Sequence, residues 1–145
     1  MTTATHVALG LIIGKVTNNY GLALAFSVGP DIDHLVSYAK HGVLLNPKKF
    51  LKVTTDAEDP WGDQKSFLHN VFVWFGISLV AIAVNQKIGL IISIAYLGHL
   101  VLDALDNSLF FPFYPHKLCI KGPIIYNSAY EYFFLSILLL IYIFI

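Results

Sequence analysis

Arginine is missing from this 145-residue chain, and all nine basic residues are lysines. Its absence reads as base-composition bias rather than mechanism. Nine acids balance the lysines, giving zero net charge and a pI near 7.0. No basic footprint for nucleic acid is visible. The single cysteine, Cys119, excludes a disulfide framework and a thiolate zinc site. Charge itself is scarce: 12% of residues are charged and 57% hydrophobic, beyond the usual range of soluble domains. The first apolar segment lacks a basic n-region, so no cleavable leader is expected.

What fills the chain is apolar sequence. "FLHNVFVWFGISLVAIAVN" (67–85) and "IGLIISIAYLGHLVLDAL" (88–105) each approach the roughly 20 residues needed to cross a bilayer. "YEYFFLSILLLIYIFI" (130–145) follows, and its "LSILLLIYIFI" offers no polar face to water. Two shorter runs, about 3–16 and 20–29, flank the turn-forming "TNNY". The expected fold is a single all-α domain over 1–145, an integral membrane bundle of four to five helices. The first two helices would form a short or re-entrant hairpin. Gly10 and Gly14 have the spacing that lets membrane helices approach closely, a common spacing in apolar segments.

One long polar loop spans 40–65, and a proline-punctuated stretch joins the fourth and fifth segments. Threading the segments up and down puts Lys40, Lys48, Lys49, Lys52, Lys65, Lys117 and Lys121 on one face. The other face holds only Lys15 and Lys87. The positive-inside bias makes the lysine-rich face cytoplasmic.

Ionisable groups interrupt the apolar runs, and the same threading brings them to that face. His6 opens the first segment, while Asp31, Asp33 and His34 close the second. His69 opens the third, and His99, Asp103 and Asp106 end the fourth. Each has an ordinary reading. Pro30 and the aspartates suit a helix start, and a lone histidine can sit at the interface. His99 and Asp103, one helical turn apart, can simply pair with each other. A charge in lipid costs roughly 2.5–3.5 kcal/mol, so such groups need a partner or a cavity. A divalent ion accounts for the whole set together. Imidazole and carboxylate donors without cysteine suit zinc, manganese or iron, and a His and a carboxylate one turn apart can chelate one ion or bridge two.

In order and spacing, "TH" (5–6), "GPDIDH" (29–34), "SFLHN" (66–70) and "GHLVLDAL" (98–105) followed by "FPFYP" resemble the motifs of the YdjM-like family. That family is described as inner-membrane metal-dependent hydrolases, some LexA-regulated. It is in turn distantly similar to zinc-dependent phospholipases C and fungal zinc nucleases, which are all-α phosphodiesterases. The resemblance implies His6, Asp31 or Asp33, His69, His99 and Asp103 as metal ligands, without choosing between the two aspartates. The family's third motif usually reads Arg-Gly-x-Thr-His-Ser. Here Leu68 and Asn70 replace the hydroxyl residues, and Lys65 stands near the arginine position.

The expected function is a membrane-bound hydrolase of phosphoester or phospholipid substrates, acting through metal-activated water at the cytoplasmic face. Whichever of Asp31 and Asp33 is not a ligand would be the general base. Membrane lipid is the expected partner. Two rivals stand beside this: a metal-ion or proton transporter, and a scaffold whose metal only fixes helix packing. His34 is a ligand or a neighbour of one. His116 is open between ligand and interface residue, and His41 is expected in solvent. Trp61, "LFFPFY" and "YEYFF" suit an aromatic interface belt.

Overall fold

The computed structural model describes residues 1–56, 59–116 and 118–145. Lys117, counted above on the lysine-rich face, lies outside them. The described residues form seven α-helices and one 3-10 turn, without strands. These are α1 (Thr3–Thr17), α2 (Tyr20–Val28), the turn Gly29–Asp31, α3 (Ile32–Lys40), α4 (Pro47–Thr55), α5 (Val71–Val84), α6 (Gln86–Leu105) and α7 (Ala129–Phe144). Asparagine sets most of the starts. The side chains of Asn19, Asn46, Asn70 and Asn85 accept backbone N–H bonds at the heads of α2, α4, α5 and α6. Each satisfies a donor that the first helical turn leaves unpaired.

All five apolar segments are helical. α6 is the central one, burying Ile91, Ile92, Ala95, Tyr96, Leu100 and Leu102. α1 packs on α2, α6 and α7, while α5 packs on α6. The α1–α2 hairpin closes at Asn18, which takes the left-handed conformation with φ 53°. Gly10 and Gly14 make that closure tight, so the spacing in "GLIIG" is structural. A Cβ on Gly14 would stand 2.6 Å from Tyr20 Cδ1, and one on Gly10 would collide with Ser27.

Large apolar side chains cover the outside of the bundle. Phe72, Phe75 and Leu79 of α5, Ile94 and Val101 of α6, and Phe133, Leu140 and Ile143 of α7 are all exposed. Helices apolar on every side are of the kind found in lipid. Among the described residues, α6 is the helix long and apolar enough to cross a membrane. α1, α5 and α7 are apolar but shorter.

Three local departures from the sequence expectation matter for the site. α5 begins at Val71 rather than near 67, because Ser66, Leu68 and His69 spend their backbone donors on Asp33. Asp31 and Asp33 do not simply close α2, since a 3-10 turn and a separate helix carry them. The polar 40–65 loop contains α4, whose Leu51 is exposed and whose Phe50 and Val53 line a cavity.

Candidate metal centre

Four helix ends converge. His6 comes from the first turns of α1, and Asp31 follows α2. His69 precedes α5, and His99 with Asp103 occupies the last turns of α6. His6, His69, His99 and Asp103 are essentially inaccessible to solvent. Their donor atoms fall into three overlapping groups, each within 4.8 Å: His6–Asp31–His99, Asp31–His34–His69 and His69–His99–Asp103.

Hydrogen bonding decides which nitrogen each ring presents. His99 donates from Nδ1 to the Ser27 carbonyl at 2.8 Å, so its Nε2 lone pair faces inward. His69 donates from Nδ1 to Asp33 Oδ2 at 3.2 Å and likewise turns Nε2 inward. The two Nε2 atoms stand 3.2 Å apart. Asp103 Oδ2 lies 3.1 Å from His69 Nε2 and 3.5 Å from His99 Nε2, and has no hydrogen-bond donor of its own. Acceptors therefore face acceptors in the interior. Donors bound to zinc at about 2.0–2.1 Å in a tetrahedron stand about 3.3–3.4 Å apart, close to the three edges observed. His6, fully buried, has no hydrogen-bond partner on either ring nitrogen, although its Nε2 is 3.5 Å from Asp103 Oδ1.

The two aspartates that the sequence left undivided separate here. Asp31 points Oδ1 at the imidazoles, 3.6 Å from His34 Nε2, 3.9 Å from His99 Nε2 and 4.0 Å from His69 Nε2. Asp33 stands behind His69 instead and belongs to none of the three groups. Its Oδ2 accepts the backbone N–H groups of Ser66, Leu68 and His69 at 3.2, 2.6 and 3.3 Å, besides the ring. Burial pushes the Asp33 carboxyl up, but the His69 ring and the backbone donors outweigh it and hold the group below its ordinary range. A carboxylate so stabilised is a poor base and a good anchor.

The chain belongs to the YdjM inner membrane protein family, whose description matches residues 1–145. No curated protein and no solved structure matches it. The motifs carrying the earlier resemblance are the ones that meet here: "TH", "GPDIDH", "SFLHN" and "GHLVLDAL". At the third motif of this YdjM-family chain, Leu68 donates its backbone N–H to Asp33. Asn70 caps α5 and also donates to the Tyr114 carbonyl.

The sequence reading did not assign the contacts of several groups around this centre. Lys65 is nearly buried, with Nζ 3.1 Å from Asp103 Oδ1 and 2.8 Å from Ser108 Oγ. The Met1 amine sits 2.8 Å from Asp103 Oδ1 and 2.5 Å from Asp106 Oδ2. Glu131 is buried and takes the Thr2 N–H, the Thr2 and Thr5 hydroxyls and the Asn127 N–H. It ties α7 to the segment carrying His6. Its only signal in the sequence was an acid near the start of an apolar helix. His41 stacks on Trp61 and meets Asp63, and His116 is exposed.

A cavity of about 660 Å³ opens beside the cluster, lined by Asp31, His34, Lys65 and Asp106 and walled by Ile32, Leu35, Phe50 and Tyr126. The cavity reaches the Asp31–His34 side of the centre, while His6, His69, His99 and Asp103 stay sealed. Burial pulls His34 down to about 4, so its ring is neutral near pH 7 and keeps a lone pair for a ligand.

Proposed function

We propose that this YdjM-family protein is a membrane-bound, metal-dependent hydrolase of phosphoester or phospholipid substrates, working at the cytoplasmic end of a multi-span bundle. One observation carries the reading. The Nε2 atoms of His69 and His99 and the Oδ2 of Asp103, acceptors with no donor among them, meet at 3.1–3.5 Å in a buried space. A proton on His69 Nε2 faces both His99 Nε2 and Asp103 Oδ2 but leaves the His99–Asp103 edge unserved, whereas a cation satisfies all three together. The donor set favours zinc, with manganese or iron as alternatives.

A divalent ion there supplies an acidified water and a Lewis acid for a phosphoryl or carbonyl oxygen. The chain's own residues do the rest. Asp33 fixes the His69 ring, and the Ser27 carbonyl fixes His99. Lys65 places a cation on the cavity wall, where an anionic substrate group would lie. The apolar walls suit acyl chains, and water is excluded from the His6 side. Reaction class rests mainly on the distant similarity of the family to zinc-dependent phospholipases C.

Metal analysis of the detergent-purified protein tests the proposal. Stoichiometric zinc, manganese or iron is expected, followed by chelator-sensitive hydrolysis in a screen of phosphodiesters and phospholipids. A preparation free of bound metal rules the hydrolase out. Metal whose removal only lowers the melting temperature, with no substrate turned over, leaves a scaffold.

Orientation has its own probe. Cys119 is free, exposed and on the loop between α6 and α7, at the end where the centre lies. A membrane-impermeant maleimide should spare it in intact spheroplasts and label it after lysis. Labelling before lysis reverses the assignment.

A further inference from the structure

We propose that α3 and α4 form a side entrance through which an anionic phospholipid of the adjoining leaflet reaches the cavity. Binding of the lipid there stands on the two helices alone. That the bound lipid is the substrate rests on the hydrolase reading.

α3 is turned the wrong way round for a helix in water. At about 100° per residue, Ile32, Leu35, Val36 and Ala39 share one face, and Asp33, His34, Ser37 and Tyr38 share the other. The polar face is the one turned inward. Asp33, Ser37 and Tyr38 are buried. Asp33 accepts the Leu68 N–H, Ser37 donates to Asp63, and Tyr38 donates to Gln64. Ile32, Leu35, Val36 and Ala39 are all exposed. With 9 residues the helix is too short to span, and a contiguous apolar face directed outward suits it to the boundary of a bilayer.

That outer face continues into the cavity. Ile32 and Leu35 belong to both, and Phe50 and Val53 of α4 add further apolar wall. Asp31 and His34, beside them in the chain, line the same cavity. Apolar and metal-side residues therefore alternate along one short segment. An amphiphile matches this, with its acyl chain on Ile32 and Leu35 and its headgroup toward Asp31, His34 and Lys65. A water-soluble phosphodiester would leave the outer face of α3 bare.

Charge selects the headgroup. No acid stands between Asp33 and Asp56 in the chain, and Lys48, Lys49 and Lys52 of α4 are all exposed. None of the three lines the cavity, which has Asp31, Asp56, Asp59 and Asp106 on its walls. Attraction for an anionic lipid thus lies with α4 at the membrane surface, outside the pocket. α4 buries none of its residues. It is held by the edge of Phe50 against Tyr38, ring centroids 5.9 Å apart, and by the Tyr126 hydroxyl on the Thr54 carbonyl at 2.8 Å.

Photo-crosslinking of the full-length protein in phosphatidylcholine nanodiscs tests the entrance. The discs carry a trace of phosphatidylglycerol or phosphatidylcholine with a diazirine in one acyl chain, and adducts are mapped by mass spectrometry. Adducts are expected on Ile32, Leu35 or Val36 and on Phe50. Phosphatidylglycerol should give roughly fivefold more of them or better, the factor that one lysine supplies at an anionic surface. Lys48→Gln, Lys49→Gln and Lys52→Gln together should bring the two lipids level. Leu35→Glu, at an exposed position, should remove the α3 and Phe50 adducts while those on α5 and α7 stay. Adducts confined to α5 and α7 in the wild type overturn the entrance, as do α3 crosslinks to a second copy of the chain. Equal labelling by the two lipids removes the anionic preference. Labelling as expected, with metal bound and no lipid hydrolysed, keeps the entrance and removes only the substrate.

Discussion

His99→Ala and Asp103→Asn should each purify without stoichiometric metal, while Asp33→Asn should keep metal with roughly 10–100-fold weaker affinity. The two effects have different physical origins. His99 and Asp103 present donor atoms directly to the buried space, one turn apart on α6. Removing the imidazole or the charge takes away one vertex of the 3.1–3.5 Å triangle. Asp33 offers nothing to that triangle. It holds the His69 ring by Nδ1 and the 66–69 backbone by three N–H bonds. Asparagine there still accepts a bond but carries no charge, so His69 becomes a weaker and less directed donor. Competition against a chromophoric chelator measures the affinities. Equal loss in all three variants would make Asp33 a ligand, and no loss in Asp33→Asn would leave it a purely local loop anchor.

Glu131→Ala should lower stability by about 2–3 kcal/mol, since a buried donor stripped of its partner costs about 1–3 kcal/mol and the Thr5 hydroxyl is buried while the Thr2 and Asn127 donors are half-buried. Four donors converge on this carboxylate: the Thr2 N–H, the Thr2 and Thr5 hydroxyls and the Asn127 N–H. Thr5 precedes His6, so loosening this knot also frees a donor of the centre. Two readouts should therefore move together, the melting temperature in detergent and the metal retained after dialysis. Glu131→Gln keeps the size and an accepting oxygen and should recover a part of both. A variant as stable as the wild type would mean that α7 is held by its apolar packing on α1 alone.

Cost in lipid explains why so much of the centre was legible beforehand. Ionisable side chains are rare in apolar runs, so His6, Asp31, Asp33, His69, His99 and Asp103 were conspicuous one by one. Alternating segments then sent them to one end. Period, length and breaker residues likewise marked each apolar helix, because backbone donors in such segments must be paired internally. Asn19, Asn70 and Asn85, which head α2, α5 and α6, are local signals too.

Composition and order alone thus determined the helical class, the five apolar segments and the set of candidate donors. Only the tertiary structure decided between Asp31 and Asp33. They are two residues apart, and which one meets the imidazoles depends on the 3-10 turn and on residues 66–69 folding back onto Asp33. It alone showed what Lys65 and Glu131 pair with, at 38 and more than 120 positions away in the chain. Periodicity describes how a residue faces its own helix. Ligation and charge pairing depend on which distant segment arrives opposite, and packing sets that.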